Sequence, residues 1–304
     1  MMTVDRTTSC IRRIFVTGGT GFFGKSIFAR RAVVPSVCYT VLSRDPGKFH
    51  SENPTLASRS DLVWVQGDVR DFKFPEGSFD AIVHAATSAV TTISDAEQDS
   101  VIRLGTKRVI AFAKAVECSR ILFVSSGAVY GPQTNPVDET APCRPTTVYG
   151  KGKRDAEQML LDAGLDVKIA RCFAFTGIHL NRDIHYAIGN FIRDCRAGRD
   201  IVVTGDGTAK RSYLYADDLV DWLFKILDHG ETGRPYNVGS DVAVSIRELA
   251  EKVRCVLGGM NRIIVKGRPS GKPLSVYVPC VDRARRELGL DVRIPLDEAI
   301  RKSV

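Results

Sequence analysis

Short apolar runs recur through the first two thirds of the chain: IFV at 14–16, CYTVL at 38–42, LVWV at 62–65, AIVHA at 81–85, ILFVS at 121–125 and VKIAR at 167–171. Runs this short, with little polar alternation, predict strands buried on both faces, as in a parallel sheet. Helical periodicity fills several of the intervals, most clearly over 93–117 and 149–163. Strand and helix in alternation predict an α/β fold with a doubly wound parallel sheet, which binds ligands outside the carboxyl ends of its strands. After Arg171 the alternation fades. Residues 172–211 read as loop-rich with one helix near 187–197, and 212–229 as helical again. Residues 234–304 read as short strands and helices around the loop RPSGKP at 268–273. The expected organisation is a sheet domain over 1–171, to which 212–232 returns, and a smaller C-terminal α/β lobe from 172–211 and 233–304.

The first strand runs directly into TGGTGFFGK, Thr17–Lys25, where Gly18, Gly21 and Gly24 keep GxxGxxG spacing ahead of a helix. Glycines there let the backbone approach a pyrophosphate, and the helix N-terminus adds N–H groups and a positive dipole end. The sheet domain is therefore expected to be a Rossmann dinucleotide-binding domain, with Gly18, Gly21, Phe22, Phe23 and Gly24 at the pyrophosphate. The second strand should end near the adenosine ribose, where the chain reads VLSRDP. Ser43 and Arg44 at that tip favour NADP(H), because a planar guanidinium grips phosphate oxygens in two bonds. Asp45, one residue on, keeps NAD(H) as the alternative. Asp68 and Val69 in QGDV and Ala85 and Ala86 in HAAT are expected to flank the cofactor, the alanines being small enough for close approach. His84 reads as a packing residue at a strand end.

Composition narrows the class without changing this picture. The chain is 44% hydrophobic and 26% charged, an ordinary balance for a globular protein. No run approaches the roughly 20 apolar residues of a membrane span, and the start lacks the apolar stretch of a signal peptide. The eight cysteines form no CxxC pair, which argues against a zinc site or a disulfide framework and for free thiols in a reducing cytoplasm. The net charge of +8 is spread along the chain, which suits anionic small ligands rather than nucleic acid.

Two segments carry candidate chemistry. FVSSGAVYG, Phe123–Gly131, ends the fifth strand, and VYGKGK, Val148–Lys153, opens a helix with Tyr149 and Lys153 on one face. A phenol is a poor base at neutral pH, and bringing it there takes roughly 4 kcal/mol of preferential phenolate stabilisation. A fixed ammonium and a nicotinamide cation can supply it, while a strand-end serine hydroxyl, Ser125 or Ser126, holds the substrate oxygen.

With these motifs in order, TGGTGFFG, GDV, HAAT, SSGAVYG, YGKGK and GDGTAKRSYLYADDL, the chain resembles the extended short-chain dehydrogenase/reductases of the nucleotide-sugar epimerase/dehydratase/reductase branch. The resemblance implies Ser126, Tyr149 and Lys153 as the catalytic set, with Lys153 also on the nicotinamide ribose and Tyr130 as a wall of the site. It implies Asn190, Arg211 and Arg268 at the sugar or diphosphate, and a homodimer through the helices near 93–117 and 149–163. His179 and His185 remain candidate local donors, more simply read as ordinary loop histidines. The family's 4,6-dehydratases carry Asp-Glu after the catalytic hydroxyl residue. This chain has Gly127 and Ala128, which cannot transfer protons. It also reads Ile102 where an Asn is usual, Ala174 where Asn is common and Ile178 where Pro is common. The expected activity is hydride transfer at C4 of a nucleotide sugar, as an NADPH-dependent 4-ketoreductase or as a 4-epimerase with tightly held NAD. An intact Ser126, Tyr149 and Lys153 argues against a non-catalytic dinucleotide sensor.

Overall fold

The structure, a computed structural model, describes residues 12–30, 37–87, 93–182, 186–268 and 274–304. Six strands form where the apolar runs predict them: β1 (Arg12–Thr17), β2 (Val37–Ser43), β3 (Leu62–Gln66), β4 (Ala81–His84), β5 (Arg120–Ser126) and β6 (Asp166–Cys172). With β7 (Pro235–Val238) they make one seven-stranded sheet in the order β7-β6-β5-β4-β1-β2-β3, every pair parallel. The order reverses between β1 and β4. Chain leaving these two strands diverges there and opens a crevice at the carboxyl edge of the sheet.

The apolar runs are continuous because both faces are covered. Along β1, Ile14 and Val16 face one core with α1 (Phe22–Arg30), while Phe15 faces the other with α2 (Asp95–Ala115) and α3 (Val148–Asp162). Phe15 stacks on Phe72 at 5.4 Å and meets Phe112 at 4.6 Å. Beyond the sheet lie α4 (Ala187–Arg196), α5 (Ala216–His229), which closes the α1 face, and α6 (Ile246–Val256). A separate core of Ile188, Phe191, Ile201, Val203, Leu249 and Val253 holds α4, α6 and the paired strands Ile201–Val203 and Ile263–Val265 together as a lobe. The lobe also carries Lys210–Arg211, which lies between Val244–Ser245 and Val276–Tyr277.

The expected boundary of the lobe needs a correction. β7 falls inside 233–304 yet completes the main sheet, and Val281, Ala284, Leu288 and Leu290 pack on the sheet's α1 face. Residues 212–215 are not part of α5 either, since Leu214–Tyr215 is a short strand paired with Phe175–Thr176. A four-residue edge strand is too short to stand out by periodicity. The seven described cysteines are free. Among the described residues, no helix is long and apolar enough to cross a membrane, and no group of three His, Cys, Asp or Glu side chains could hold a metal ion.

Candidate active site

The glycine loop leaves β1 at the reversal point. Gly18 has φ +75°, and a Cβ there would lie 2.5 Å from the Ala85 carbonyl oxygen, so the position demands glycine twice over. A Cβ on Gly21, by contrast, would meet only the Gly18 carbonyl oxygen at 3.5 Å. That face is open for a ligand to come against the backbone, just where α1 begins and offers its free N–H groups. Gly24 packs on Gly19. Phe22 and Phe23 pack with Phe175, at 6.2 and 5.6 Å. They tie the loop to the chain after β6 through their rings and can meet a pyrophosphate with their backbone. The residues present therefore fit the expected dinucleotide.

At the tip of β2, Ser43 is buried and accepts the Asp45 N–H at 3.2 Å. Arg44 is exposed, and its guanidinium pairs with no carboxylate among the described residues. Asp45 accepts the Lys48 N–H at 2.9 Å as the cap of the following short helix, so its carboxylate is already engaged. Asp68 is held by Arg70, with Nε at 2.8 Å and Nη2 at 3.0 Å, and Arg70 also reaches Glu97 at 2.9 Å. That guanidinium keeps the Asp68 carboxyl below its ordinary range. Val69 packs over Gly105, where a Cβ would lie 2.9 Å from the valine. His84 is fully buried between Thr17 and Thr106, as its packing reading requires.

Ser126 ends β5. Its hydroxyl accepts the Ala128 N–H at 3.1 Å and caps a single 3-10 turn, Gly127–Tyr130. Thr147 caps α3 through the Gly150 N–H at 3.0 Å. A Cβ on Gly150 would sit 2.6 Å from the Ala128 carbonyl oxygen. Glycine thus lets α3 press against the turn, which sets Tyr149 on the Ser126 side of the edge, with Lys153 Nζ 5.9 Å from its ring centre. One turn further along, Lys153 is buried and donates from Nζ to the Val124 carbonyl oxygen at 2.7 Å. Ser125 points the other way and donates to Glu157 at 2.5 Å. Of the two serines, Ser126 is the one beside Tyr149.

The electrostatics depart from expectation in one respect. Burial raises the Tyr149 pKa, the nearby Ser126 hydroxyl opposes the rise, and Tyr277, Tyr186 and Cys172 add to it. Burial also lowers Lys153 to about 7, against weak support from Cys172 and Glu157. The ammonium is spent on a carbonyl in a dry setting, so in the chain by itself desolvation wins over the phenol-lowering effect expected of it.

Tyr130 is not a wall of the site. It is fully buried, donates to Asn237 Oδ1 at 2.8 Å and accepts from Arg171 Nη1 at 3.0 Å. Arg171 in turn grips Glu157 with Nε at 3.0 Å and Nη2 at 2.9 Å. This network joins β5, β6, β7 and α3 directly behind the Ser126 edge. Sequence reading missed it because its members are single polar residues scattered over strands, a turn and a helix.

The lobe reaches the same edge. Tyr277 brings its hydroxyl to 3.5 Å from Ser126 Oγ, and the Arg211 guanidinium lies 5.9 Å from the Tyr277 ring centre. Arg211 therefore stands one residue away from the serine. Asn190, on α4, has a buried Oδ1 with no partner among the described residues, as a group awaiting a ligand donor would. His179 likewise has an unpartnered buried Nε2, and burial together with Lys25 lowers its pKa. It is neither exposed nor satisfied. Arg268 is exposed, and nothing in its described surroundings directs it to the site. His185 lies outside the described residues. Tyr277 carried no motif, and only the register beside Arg211 reveals it.

A glycine cradle at β1, a Ser-Tyr-Lys cluster at β5 and a facing lobe form one continuous edge, and the sequence matches the NAD-dependent epimerase/dehydratase family over residues 14–239. The chain belongs to that family. UDP-glucuronic acid decarboxylase 6 of Arabidopsis thaliana is 29% identical over 95% of this chain and 86% of its own. Among solved structures, the UDP-N-acetylglucosamine 4-epimerase of Methanobrevibacter ruminantium in complex with UDP-N-acetylmuramic acid superposes with TM-score 0.85 at 21% identity, over 96% of each chain. The UDP-glucuronic acid 4-epimerase of Bacillus cereus in complex with NAD gives 0.83 at 17% identity, over 96% and 95%. These likenesses show the Rossmann fold, and family membership makes the chain an NAD(H)-dependent enzyme of the nucleotide-sugar epimerase/dehydratase/decarboxylase group.

Proposed function

We propose that this enzyme transfers hydride at C4 of a nucleotide-diphosphate hexose and that its net reaction is reduction of a 4-keto sugar. The observation that carries the reading is Tyr149 against Ser126 with Lys153 one turn below, beside a turn without acids. A Cβ on Gly127 would lie 2.8 Å from the Phe173 ring, and Ala128 beside it is no acid either, so neither residue can make the proton transfers that elimination of water needs. When bound, the nicotinamide supplies the hydride to C4 or takes it back. Ser126 holds O4 by a hydrogen bond, and Tyr149 gives O4 the proton that balances the arriving hydride. Lys153 then faces a developing phenolate, whose charge favours its ammonium form. Arg211 and Asn190 hold the diphosphate and sugar; a second clamp by the exposed Arg268 rests on the family resemblance alone. Arg44, free at the β2 tip while Asp45 is engaged, favours NADPH. The intended setting is the cytoplasm, with the exposed faces of α2 and α3 as the homodimer surface.

A second reading, a 4-epimerase that retains its NAD, is supported by the epimerases among the similar structures. It uses the same residues, with hydride returned to the opposite face of the ketone. Purified protein incubated with nucleotide sugars, including UDP-glucuronate, and with 4-keto-6-deoxy sugars separates the cases. Consumption of NADPH with keto sugars alone establishes the reductase. Interconversion of C4 epimers without added cofactor establishes the epimerase. Release of carbon dioxide from the uronate, or loss of water, overturns both.

A further inference from the structure

His84 is a buried titratable group that the reaction does not use. Its Nδ1 lies 2.8 Å from Thr17 Oγ1 and its Nε2 lies 3.2 Å from Thr106 Oγ1. The Thr106 hydroxyl proton is already given to the Ile102 carbonyl oxygen at 2.7 Å. Thr106 can therefore only accept from the ring, which puts the His84 proton on Nε2. Nδ1 is then an acceptor, and the Thr17 hydroxyl must donate to it. With its proton so directed, Thr17 Oγ1 presents a lone pair to the Ala86 N–H at 3.2 Å, while the Thr17 carbonyl takes the Ala85 N–H at 3.2 Å. One ordered chain of hydrogen bonds thus runs from the backbone of α2 through His84 to the Ala85–Ala86 turn. That turn is the surface on which Gly18 rests, with no room for a Cβ between them.

We propose that His84 is a positioning residue for the dinucleotide, locked by Thr106 as the neutral Nε2–H tautomer so that Thr17 holds the β1 and β4 ends at the spacing the cofactor requires. The ring touches neither cofactor nor substrate and acts through Thr17. A protonated ring would have a second N–H facing Thr17, reverse the direction of that hydrogen bond and compete for the lone pair that fixes Ala86. Burial, with the Lys153 charge, keeps the ring neutral, its pKa pushed down to about 3. The proposal concerns the β1/β4 edge alone and stands whichever sugar reaction the site performs.

The test is dinucleotide affinity of the full chain, titrated with NAD(H) and NADP(H), alongside thermal stability. Thr17→Val and His84→Phe should raise Kd about tenfold or more, and Thr106→Val about threefold. Thr17→Ser, which keeps the hydroxyl, should stay within about twofold of the parent. Loss of thermal stability with parental Kd in Thr17→Val and Thr106→Val would reduce the chain to packing and overturn the proposal. A second measurement needs no variant to fold. Long-range ¹H–¹⁵N spectra of histidine-labelled protein should show His84 as the Nε2–H tautomer from pH 5 to pH 9. An Nδ1–H tautomer, or a ring that titrates in that range, would overturn it.

Discussion

Lys153 bears the heaviest electrostatic cost at the site. In the unfolded chain it titrates near 10.5, and in the folded one near 7. Below pH 7 both states carry the proton and the cost of burying the charge is present in full. Between pH 7 and about 10 the unfolded state binds more protons than the folded state, so stability should rise with pH. Urea unfolding of the cofactor-free protein at pH 7 and pH 9 should show this rise, on the order of 2 kcal/mol, and Lys153→Met should abolish it. A flat profile in the parent would refute burial of the charge. Tyr149→Phe keeps the ring and removes the proton donor. It should lower kcat by about 10²–10⁴ while dinucleotide affinity stays near that of the parent. The types and spacing of Ser126, Tyr149 and Lys153 were legible in sequence because each sits at a strand end or a helix start. Their titration was not legible, since it depends on how dry the fold makes them. Tyr130 was misread for the same reason: its motif says nothing about the Arg171 and Asn237 partners that bury it.

At the scale of elements, the site rests on how closely α3 and the turn after β5 approach each other and on the buried ions behind them. Glu157 and Arg171 are almost wholly buried and bonded twice to each other. Arg171→Met would leave Glu157 with Ser125 and the half-exposed Arg154 alone. The expected loss is about 3 kcal/mol in urea unfolding, because an uncompensated buried carboxylate costs more than the pair gains. The turn itself resists acquisition of acid chemistry. Gly127→Asp would drive a side chain into the Phe173 ring and should cost about 1–3 kcal/mol by overpacking, without producing any 4-keto-6-deoxy product. The glycines at 18, 127 and 150 could be seen in the sequence as part of a motif, as the loss of an acid and as an unremarked residue. Only the loop motif announces its reason, because what the other two exclude is a neighbour distant in sequence.

The whole molecule brings a basic chain of ordinary composition to a single reactive edge. Six apolar runs sufficed to foresee the parallel sheet. The seventh strand escaped because Tyr236, Asn237 and Val238 form too short a run, and because Asn237 is there for its hydrogen bonds to Tyr130, Val137 and Cys280. The same network ties the segment after β5 to the C-terminal part of the chain, and Tyr277 extends that connection to Ser126. Substrate seat and hydride edge are thus built on one framework, which is why the second half of the chain reads poorly by periodicity and well by contact. The most direct test of the account supplies a 4-keto-6-deoxy nucleotide sugar with NADPH deuterated at nicotinamide C4 and locates the label in the product by NMR. Hydride transfer assisted by Ser126, Tyr149 and Lys153 predicts deuterium at sugar C4 in one configuration, and none in the Tyr149→Phe variant. Label at any other carbon, or equal labelling by that variant, would contradict it.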